Sequence, residues 1–318
     1  MMDPGQEGAL RLFSGFYEGN PDLVIDLYAR TLVLFDFCKD DNGLDLLDTA
    51  QQVCLEYFPW VDCVVRKKRF TDDLNLRKGI ITFGGPPATA ILENGIWYAL
   101  DLMMNQDAGF YLDTRHLRAW LVKHSEDKQV LNTFAYTGSL GVAALAGGAT
   151  RVVQTDRNQR FLSQARASAM LNHLDLGRMK LRTSDFFGEV GRYKREGELF
   201  DIALLDPPFF SVAESGTVDM LRESTRLINK LRPLVRDGGH LIVINNALFL
   251  SGESFMTSLS ELCRDGYLSV EEIMTVPEDI CGFPASRIST GPTDPAPFNH
   301  STKIVVLNVK RKSGLPIN

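Results

Sequence analysis

The stretch that decides the fold is Leu199-Phe200-Asp201-Ile202-Ala203-Leu204-Leu205-Asp206-Pro207-Pro208-Phe209-Phe210. Its first half is largely apolar and lacks alternation, which is typical of a central strand in a parallel sheet covered by helices on both faces. Two prolines then prevent the strand from continuing, so Asp206 lies at the carboxyl end, where such sheets bind ligands. Taken alone, the motif is equally compatible with a proline turn in which Asp206 caps the next helix.

Six further strands are predicted around this one, with helices between most of them. An alternation of strands and helices at this spacing predicts an α/β fold built on a doubly wound, Rossmann-like sheet of seven strands. The strands are predicted over residues 130–134, 151–155, 179–182, 199–205, 239–244, 268–275 and 303–309.

The residues before this sheet predict a small α+β domain that ends in a β-hairpin. Asn94-Gly95 between two apolar runs is a strong hairpin signal, and we expect this hairpin to connect the two domains. We place a substrate-binding domain at residues 1–112 and a second domain at residues 113–318. The basic run from Arg66 to Arg69 is interpreted as a solvated strand end in preference to a contact for RNA phosphates.

Composition bounds the remaining possibilities. The chain has 318 residues and a net charge of -6, which argues against extensive coating of nucleic acid but is compatible with a local basic patch. Because no leader and no apolar stretch of membrane-spanning length is found, we expect a soluble cytoplasmic protein. The cysteines are scattered and odd in number, so reduced thiols and no metal site are expected: Cys38, Cys54, Cys63, Cys263 and Cys281.

Three acids follow successive predicted strands, and parallel strands bring them to one edge of the sheet: Asp156, Asp185 and Asp206. The first strand ends in a loop with Gly138, whose backbone permits close approach of a ligand. Asp156 follows that loop at the spacing at which an acid meets ribose hydroxyls. The loop lacks the first glycine of a dinucleotide motif, so no pyrophosphate site is indicated. An acidic edge suits a cofactor with a cationic reactive end, such as S-adenosylmethionine.

These motifs resemble those of the S-adenosylmethionine-dependent methyltransferases that act on bacterial large-subunit ribosomal RNA. The resemblance covers most of the chain, and two members are relevant: a cytosine-C5 enzyme, and the guanine-N7 half of a bifunctional enzyme. It extends to the segment from Gly109 to Arg115 and to the small domain from Arg11 onward. The PUA domain that precedes this region in the cytosine enzyme is expected to be absent here.

The resemblance implies roles for particular residues, residue by residue. Phe134, Tyr136 and Gly138 would line the methionine side of the cofactor, and Asp156 would bind the ribose. Asp185 and Phe186 would contact the adenine, and Asp113 with Arg115 would close the mouth of the site. The catalytic set would separate methyl donor from acceptor and position the base: Asp206, Pro207, Pro208, Phe209 and Asn245.

The lack of a cysteine at the expected positions bears on which atom of the base accepts the methyl group. Methylation of cytosine C5 requires a cysteine that adds to C6, yet the segments that directly follow the fourth and the fifth predicted strands contain no cysteine. Cys281, in a loop rich in proline and glycine, is the only remaining candidate. Asn245-Asn246 instead resembles the guanine-N7 member, and a ring nitrogen such as N7 needs only an edge-reading, stacked pocket. His300 either faces this pocket or is hydrogen-bonded at the sheet rim.

The leading hypothesis is therefore a methyltransferase for a base in large-subunit ribosomal RNA, with ring nitrogen favoured over cytosine C5. One alternative is a methyltransferase for protein or small molecules on the same scaffold. A second is a non-catalytic RNA-binding or ribosome-binding protein that kept the fold. The oligomeric state, monomer or homodimer, is left open.

Overall fold

The computed structural model describes residues 4–39, 44–208 and 217–311. The chain divides into two units, each with its own contacts. The N-terminal unit consists of Met1–Thr114 together with Pro277–Thr290, and the C-terminal unit consists of Arg115–Val276 together with Gly291–Asn318. None of the described helices is both long enough and apolar enough to span a bilayer.

The N-terminal unit is built on a five-stranded sheet whose spatial order follows the chain. Its strands are β1 (Ala9–Phe13), β2 (Leu23–Tyr28), β3 (Thr31–Asp36), β4 (Cys63–Lys68) and β5 (Ile80–Gly84). Helix α1 (Leu44–Tyr57) joins β3 to β4, which run parallel, and the other neighbours are antiparallel. Helix α2 (Leu74–Lys78) precedes β5.

The predicted hairpin is present, as β6 (Ala90–Glu93) and β7 (Ile96–Ala99). Asn94 and Gly95 between them have φ values of 52° and 77°. A two-residue turn with both φ values positive matches the twist of the flanking strands, which is why Asn-Gly is favoured there.

The basic run at the end of β4 is largely used inside the N-terminal unit, so its interpretation as a solvated strand end is wrong for Lys67, while a contact of its half-buried members with RNA phosphates stays a prediction. Lys67 is fully buried, and its Nζ donates to the backbone oxygens of Lys78, Asn105 and Asp107 at 2.7, 2.8 and 3.1 Å. Arg69 forms an ion pair with Asp107 at 2.7 Å. Arg66 pairs with Asp48 on α1 at 2.7 Å. These side chains hold the N-terminal unit together internally.

A segment far along the chain also belongs to the N-terminal unit, residues 277–290. Ser14 Oγ lies 3.1 Å from the carbonyl oxygens of both Asp279 and Ile280. The carbonyl oxygen of Tyr17 accepts hydrogen bonds from the N–H groups of Ile288 and Ser289 at 2.8 and 3.1 Å. Part of the loop rich in proline and glycine that contains Cys281 is therefore bound to the connection between β1 and β2.

The C-terminal unit contains the predicted seven-stranded sheet. Its strands are β8 (Gln129–Thr133), β9 (Arg151–Asp156), β10 (Met179–Thr183), β11 (Phe200–Leu205), β12 (Val235–Asn245), β13 (Leu268–Met274) and β14 (Lys303–Val309). Its helices are α3 (Arg115–His124), α4 (Ser139–Ala146), α5 (Gln159–Leu171), α6 (Phe186–Glu196), α7 (Thr217–Leu231) and α8 (Gly252–Cys263). The fold class predicted from the sequence is confirmed.

The strand order of this sheet is β10-β9-β8-β11-β12-β14-β13. The first five of these strands are parallel, and β14 is antiparallel to both of its neighbours. Apolar clusters cover both faces, one against α6, α7 and α8 and the other against α3, α4 and α5. This two-sided burial explains why β11 reads as an almost continuous apolar run. Asp201, its one charged residue, pairs with Arg236 at 2.8 Å.

Candidate functional site

The order of the strands reverses between β8 and β11, which lie side by side. Leu205 is in register with Thr133, and Thr133 Oγ1 donates to the carbonyl oxygen of Leu204 at 2.6 Å. In open α/β sheets the crevice outside the carboxyl ends of the strands at such a switch point is where ligands bind. The loops after β8 and β11 are the ones that carry the predicted site residues.

The loop after β8 adopts a backbone that ordinary side chains disfavour. Phe134 and Tyr136 have φ values of 55° and 51°, and Gly138 has 77°. Left-handed conformations at non-glycine residues cost about 1 to 3 kcal/mol each and persist where the surroundings hold them. Here Asp156 is part of that support, since its Oδ2 accepts the N–H of Tyr136 at 2.9 Å.

Two glycines of this loop and its helix are required by a buried side chain beneath them. Gln154 on β9 is fully buried, and its amide accepts a hydrogen bond from Asn132 Nδ2 at 3.1 Å. A Cβ at Gly138 would come within 2.7 Å of Gln154 Oε1, and one at Gly141 within 2.3 Å of Gln154 Cδ. The loop therefore lies directly on the sheet, which leaves its outer side as the approach for a ligand.

Two aromatic residues predicted to contact the cofactor are brought together. The rings of Phe134 and Phe186 stack with centroids 5.1 Å apart and planes 16° from parallel. Asp185, just before Phe186, caps α6 by accepting the N–H of Gly188 at 3.0 Å, and its side chain is exposed. A flat apolar wall beside an exposed carboxylate can stack a purine ring and accept its amino hydrogens.

The loop after β11 is described as far as Pro208. Asp206 is half-buried, Pro207 is buried and Pro208 is exposed. Phe209, the last of the predicted motif, lies outside the described residues. Asp113 and Arg115 fall on either side of the division between the units, because Asp113 belongs to Met1–Thr114 of the N-terminal unit and Arg115 begins α3 of the C-terminal unit.

Asn245 at the end of β12 has internal partners rather than an open face. It is fully buried, its Oδ1 accepts the N–H of Ala247 at 3.0 Å, and its Nδ2 lies 3.3 Å from Ser224 Oγ on α7. Asn246, which lies between Asn245 and Ala247 in the chain, is exposed. The turn after β12 thus presents Asn246, and Asn245 holds the turn.

The cysteines and His300 are also placed. Cys281 is buried in the segment that belongs to the N-terminal unit, and burial raises its pKa to about 11. A thiol with that pKa is protonated at neutral pH, whereas the nucleophilic form is the thiolate. His300 Nδ1 accepts the N–H of Thr302 at 3.0 Å, which matches the interpretation of a histidine bonded at the sheet rim.

The charge at this edge of the sheet is negative. Asp156 ends β9, and Asp185 and Asp206 follow β10 and β11, so carboxylates lie at the carboxyl ends of three parallel strands. Each Asp156 oxygen accepts one backbone N–H, from Tyr136 or from Asn158, which leaves lone pairs for hydroxyl groups. The edge can therefore bind a ligand that has a cationic centre, a diol and a flat ring.

A family model for S-adenosylmethionine-dependent methyltransferases matches residues 67–285. The chain belongs to this family. The protein is an enzyme, and S-adenosylmethionine is its cofactor. The stacked rings, the half-buried carboxylates and the close-lying loop with Gly138 fit that group, which supplies an electrophilic methyl bound to a sulfonium. The hypothesis of a non-catalytic protein is wrong.

Named relatives of this methyltransferase are 31% and 32% identical to it over the aligned residues. It is 31% identical over 269 residues, 83% of this chain and 67% of the relative, to ribosomal RNA large subunit methyltransferase I of Photobacterium profundum. It is 32% identical over 270 residues, with the same two shares, to the protein of that name from Escherichia coli O139:H28.

Solved structures share the fold of this methyltransferase. A protein of Streptococcus mutans, assigned as an S-adenosylmethionine-dependent methyltransferase, has a TM-score of 0.81 at 23% identity and covers 96% of this chain and 76% of its own. A second structure with the same scores is a complex with SAH, the demethylated form of the cofactor. The tRNA m1G37 methyltransferase of M. jannaschii has a TM-score of 0.57 at 16% identity and covers 91% of this chain and 72% of its own.

Two residues that support the site were missed by the sequence analysis, Gln154 and Lys303. Both are fully buried polar residues in apolar strands. A glutamine after Val152-Val153 and a lysine before Ile304-Val305 are the available signals, because polar residues in covered strands need specific partners.

Proposed function

We propose that this methyltransferase modifies a base of large-subunit ribosomal RNA at a ring nitrogen such as guanine N7. The observation that carries the nitrogen assignment is the state of the cysteines. The turns after β11 and β12 contain no cysteine, and Cys281 is a buried thiol with a pKa raised to about 11. The covalent step that cytosine C5 requires has no nucleophile among these residues.

A ring nitrogen makes smaller demands on the protein. N7 of guanine has a free lone pair and no proton to lose, so transfer needs alignment of the base with the methyl group and exclusion of water. In this proposal Asp206, Pro207 and Pro208 form the rigid floor between donor and acceptor. Asn246 reads the edge of the base, and Asn245 holds Asn246 in place.

The cofactor side of the proposal keeps the predicted roles. Phe134, Tyr136 and Gly138 line the methionine part, Asp156 binds the ribose hydroxyls, and Asp185 with Phe186 binds the adenine. Asp113 and Arg115 are proposed to close the mouth of the site. The stacking of Phe134 on Phe186 and the spare lone pairs of Asp156 support these roles.

The choice of RNA is supported by the names of the relatives, which are ribosomal RNA large subunit methyltransferases. In this proposal the N-terminal domain, residues 1–112, binds the RNA, and the protein acts in the cytoplasm where ribosomes are assembled. The net charge of -6 favours the second candidate, a protein or small-molecule substrate.

The experiment is nucleoside mass spectrometry of large-subunit ribosomal RNA from cells with the gene, without it, and with the gene carrying Asp206→Ala. Loss of a 7-methylguanosine in the second and third strains is expected. Loss of a 5-methylcytidine instead would assign carbon chemistry, and an unchanged nucleoside profile would favour the protein or small-molecule substrate. Binding of S-adenosylmethionine to the purified Asp206→Ala protein controls for folding.

A further inference from the structure

Lys303, the first residue of β14, is a buried cation beside the turn that carries Asn246. Its side chain is 0% exposed, and its Nζ donates to the carbonyl oxygen of Ala247 at 3.1 Å and to that of Ser301. Both acceptors are neutral backbone groups, and no ion pair involves this lysine in the described part of the chain. Burying an ammonium group without a carboxylate partner costs free energy. An apolar side chain at this position would avoid that cost.

The position of this ammonium group couples it to Asn245. Lys303 and Asn245 are in register across β14 and β12. Asn245 Oδ1 accepts the N–H of Ala247 at 3.0 Å, while Lys303 Nζ binds the carbonyl oxygen of the same residue. Both backbone groups of Ala247 are thus fixed by side chains, and the exposed Asn246 lies between the two residues that are held.

We propose that Lys303 is a positioning residue for methyl transfer, because its ammonium group holds the Asn245–Ala247 turn in the conformation that presents Asn246 to the acceptor. The proposal rests on the proposed function for the role of Asn246 and for the identity of that acceptor. Because Lys303 is fully buried and binds the carbonyl oxygen of Ala247, it acts through the turn.

The charge on Lys303 makes the device sensitive to pH. Burial lowers its pKa from 10.5 to about 8. Loss of the proton turns two charge-assisted hydrogen bonds into weaker neutral ones. Several titratable groups on neighbouring elements have partners elsewhere: His300 accepts from Thr302, His240 on β12 pairs with Glu271, and Glu272 on β13 accepts from Trp120. Glu253 on α8 lines a groove with Asp294.

The pH dependence that Lys303 gives to stability is opposite to the pH dependence expected for activity. Between pH 8 and 10.5 the unfolded chain keeps the lysine proton that the folded chain has lost, so this lysine makes the free energy of unfolding rise with pH. Turnover, in contrast, is expected to fall through pH 8 as the turn loosens. A loss of activity without a loss of stability therefore separates positioning from a purely structural role.

The chain offers a matched control in Lys67. It is equally buried, also binds only backbone carbonyl oxygens, and has its pKa lowered by burial to about 8, but it lies in the N-terminal unit. The variants are Lys303→Met and Lys67→Met. The measurements are kcat and KM with ribosomal RNA from pH 6.5 to 9.5, and amide hydrogen exchange of residues 245–250 as protection factors, which correct for the intrinsic effect of pH.

For Lys303→Met we expect a 10- to 100-fold lower kcat at pH 7, a KM for S-adenosylmethionine within twofold of the wild type, and no fall in kcat near pH 8. Protection of residues 245–250 should drop in Lys303→Met at pH 7 and in the wild type above pH 8. Lys67→Met should keep the wild-type protection of residues 245–250 and the wild-type pH dependence of that protection. Equal losses in both variants, or wild-type protection and kcat in Lys303→Met, would overturn the proposal.

The proposal stays testable if the Lys303→Met variant does not fold or if the wild type is inactive on ribosomal RNA. If Lys303→Met does not fold, the wild-type protein alone decides, because protection of residues 245–250 that stays constant from pH 7 to 9.5 contradicts the proposal. If the wild type transfers no methyl group to ribosomal RNA, the proposed function fails, and the exchange measurements still decide the role of Lys303.

Discussion

At the scale of single residues, Asp156 has two tasks that the sequence could not separate. It supports the backbone of Tyr136 and Asn158, and it is proposed to bind the ribose of the cofactor. We expect Asp156→Ala to weaken S-adenosylmethionine binding by about 1 to 3 kcal/mol, roughly 5- to 150-fold, through loss of charge-assisted hydrogen bonds. Isothermal titration calorimetry measures this directly.

Asp175→Ala is the control for Asp156→Ala. Asp175 also accepts a backbone N–H, that of Gly177 at 2.8 Å, but it precedes β10 at the edge opposite the site. Its removal should leave the affinity unchanged. An affinity of Asp156→Ala within twofold of the wild type would show that the carboxylate serves the loop alone.

Cys281 gives the residue-scale test of the acceptor atom. Because its thiol is buried and protonated, Cys281→Ser should leave turnover on ribosomal RNA within about twofold of the wild type. Incubation of the wild type with RNA containing 5-fluorocytosine should give no covalent adduct on denaturing gels. An adduct that disappears in Cys281→Ser would restore the C5 mechanism.

At the scale of elements, the packing of α3 on α4 depends on a glycine. A Cβ at Gly147, which caps α4, would lie 2.4 Å from the carbonyl oxygen of Val122 and 2.7 Å from its Cα. Backbone atoms cannot move aside as a side chain can, so we expect Gly147→Ala to lower the free energy of unfolding by about 1 to 3 kcal/mol. Urea denaturation at constant m-value provides the measurement.

Gly191 within α6 is the contrasting position. An added Cβ there meets only Arg195 Nη1, at 3.5 Å. Gly191→Ala should therefore raise the free energy of unfolding by about 0.5 to 1 kcal/mol, because alanine restricts the unfolded chain more than glycine does. If both variants were destabilised to the same extent, the close packing of α3 on α4 would not be the reason why position 147 requires glycine.

The elements show why sequence reasoning succeeds for some features and fails for others. Strands β8, β9 and β11 were predictable because burial on both faces leaves a largely apolar signature, and the hairpin was predictable because Asn-Gly favours its turn. Strand β12 begins at Val235 rather than at Gly239, since its early residues are polar and carry a turn signal. Local patterns also predicted three acids at one edge, because parallel strands end together.

Tertiary partners account for the failures. Nothing local shows that Lys67 meets three carbonyl oxygens, so a basic run was interpreted as solvated. Asn245 follows an apolar strand as an exposed residue would, yet it is fully buried because Ala247 and Ser224 satisfy its amide. Such contacts depend on residues distant in sequence.

At the scale of the whole molecule, the segment 277–290 is held by residues near the start of the chain. Asp279 Oδ2 accepts the N–H of Arg11 at 3.0 Å. We expect Asp279→Ala to loosen the segment by about 1 kcal/mol and to speed tryptic cleavage after the exposed Arg287 roughly fivefold. The rate is followed by mass spectrometry of the fragments under native conditions.

Asp294→Ala is the control for this cleavage, because Asp294 lies beyond the segment, in the C-terminal unit. Cleavage after Arg287 should proceed at the wild-type rate in that variant. Equal acceleration in both would indicate general loosening of the loop rather than release from Arg11.

Because residues 277–290 belong to the N-terminal unit, the position of this segment also limits how such proteins can be recombined. A hybrid gene joined near residue 114 would take this segment from one parent and Ser14 and Tyr17 from the other, although the two must fit. Shuffling of the two units therefore needs three crossover points rather than one, at 114/115, 276/277 and 290/291. Lineages that exchanged only the first would inherit a mismatched pair.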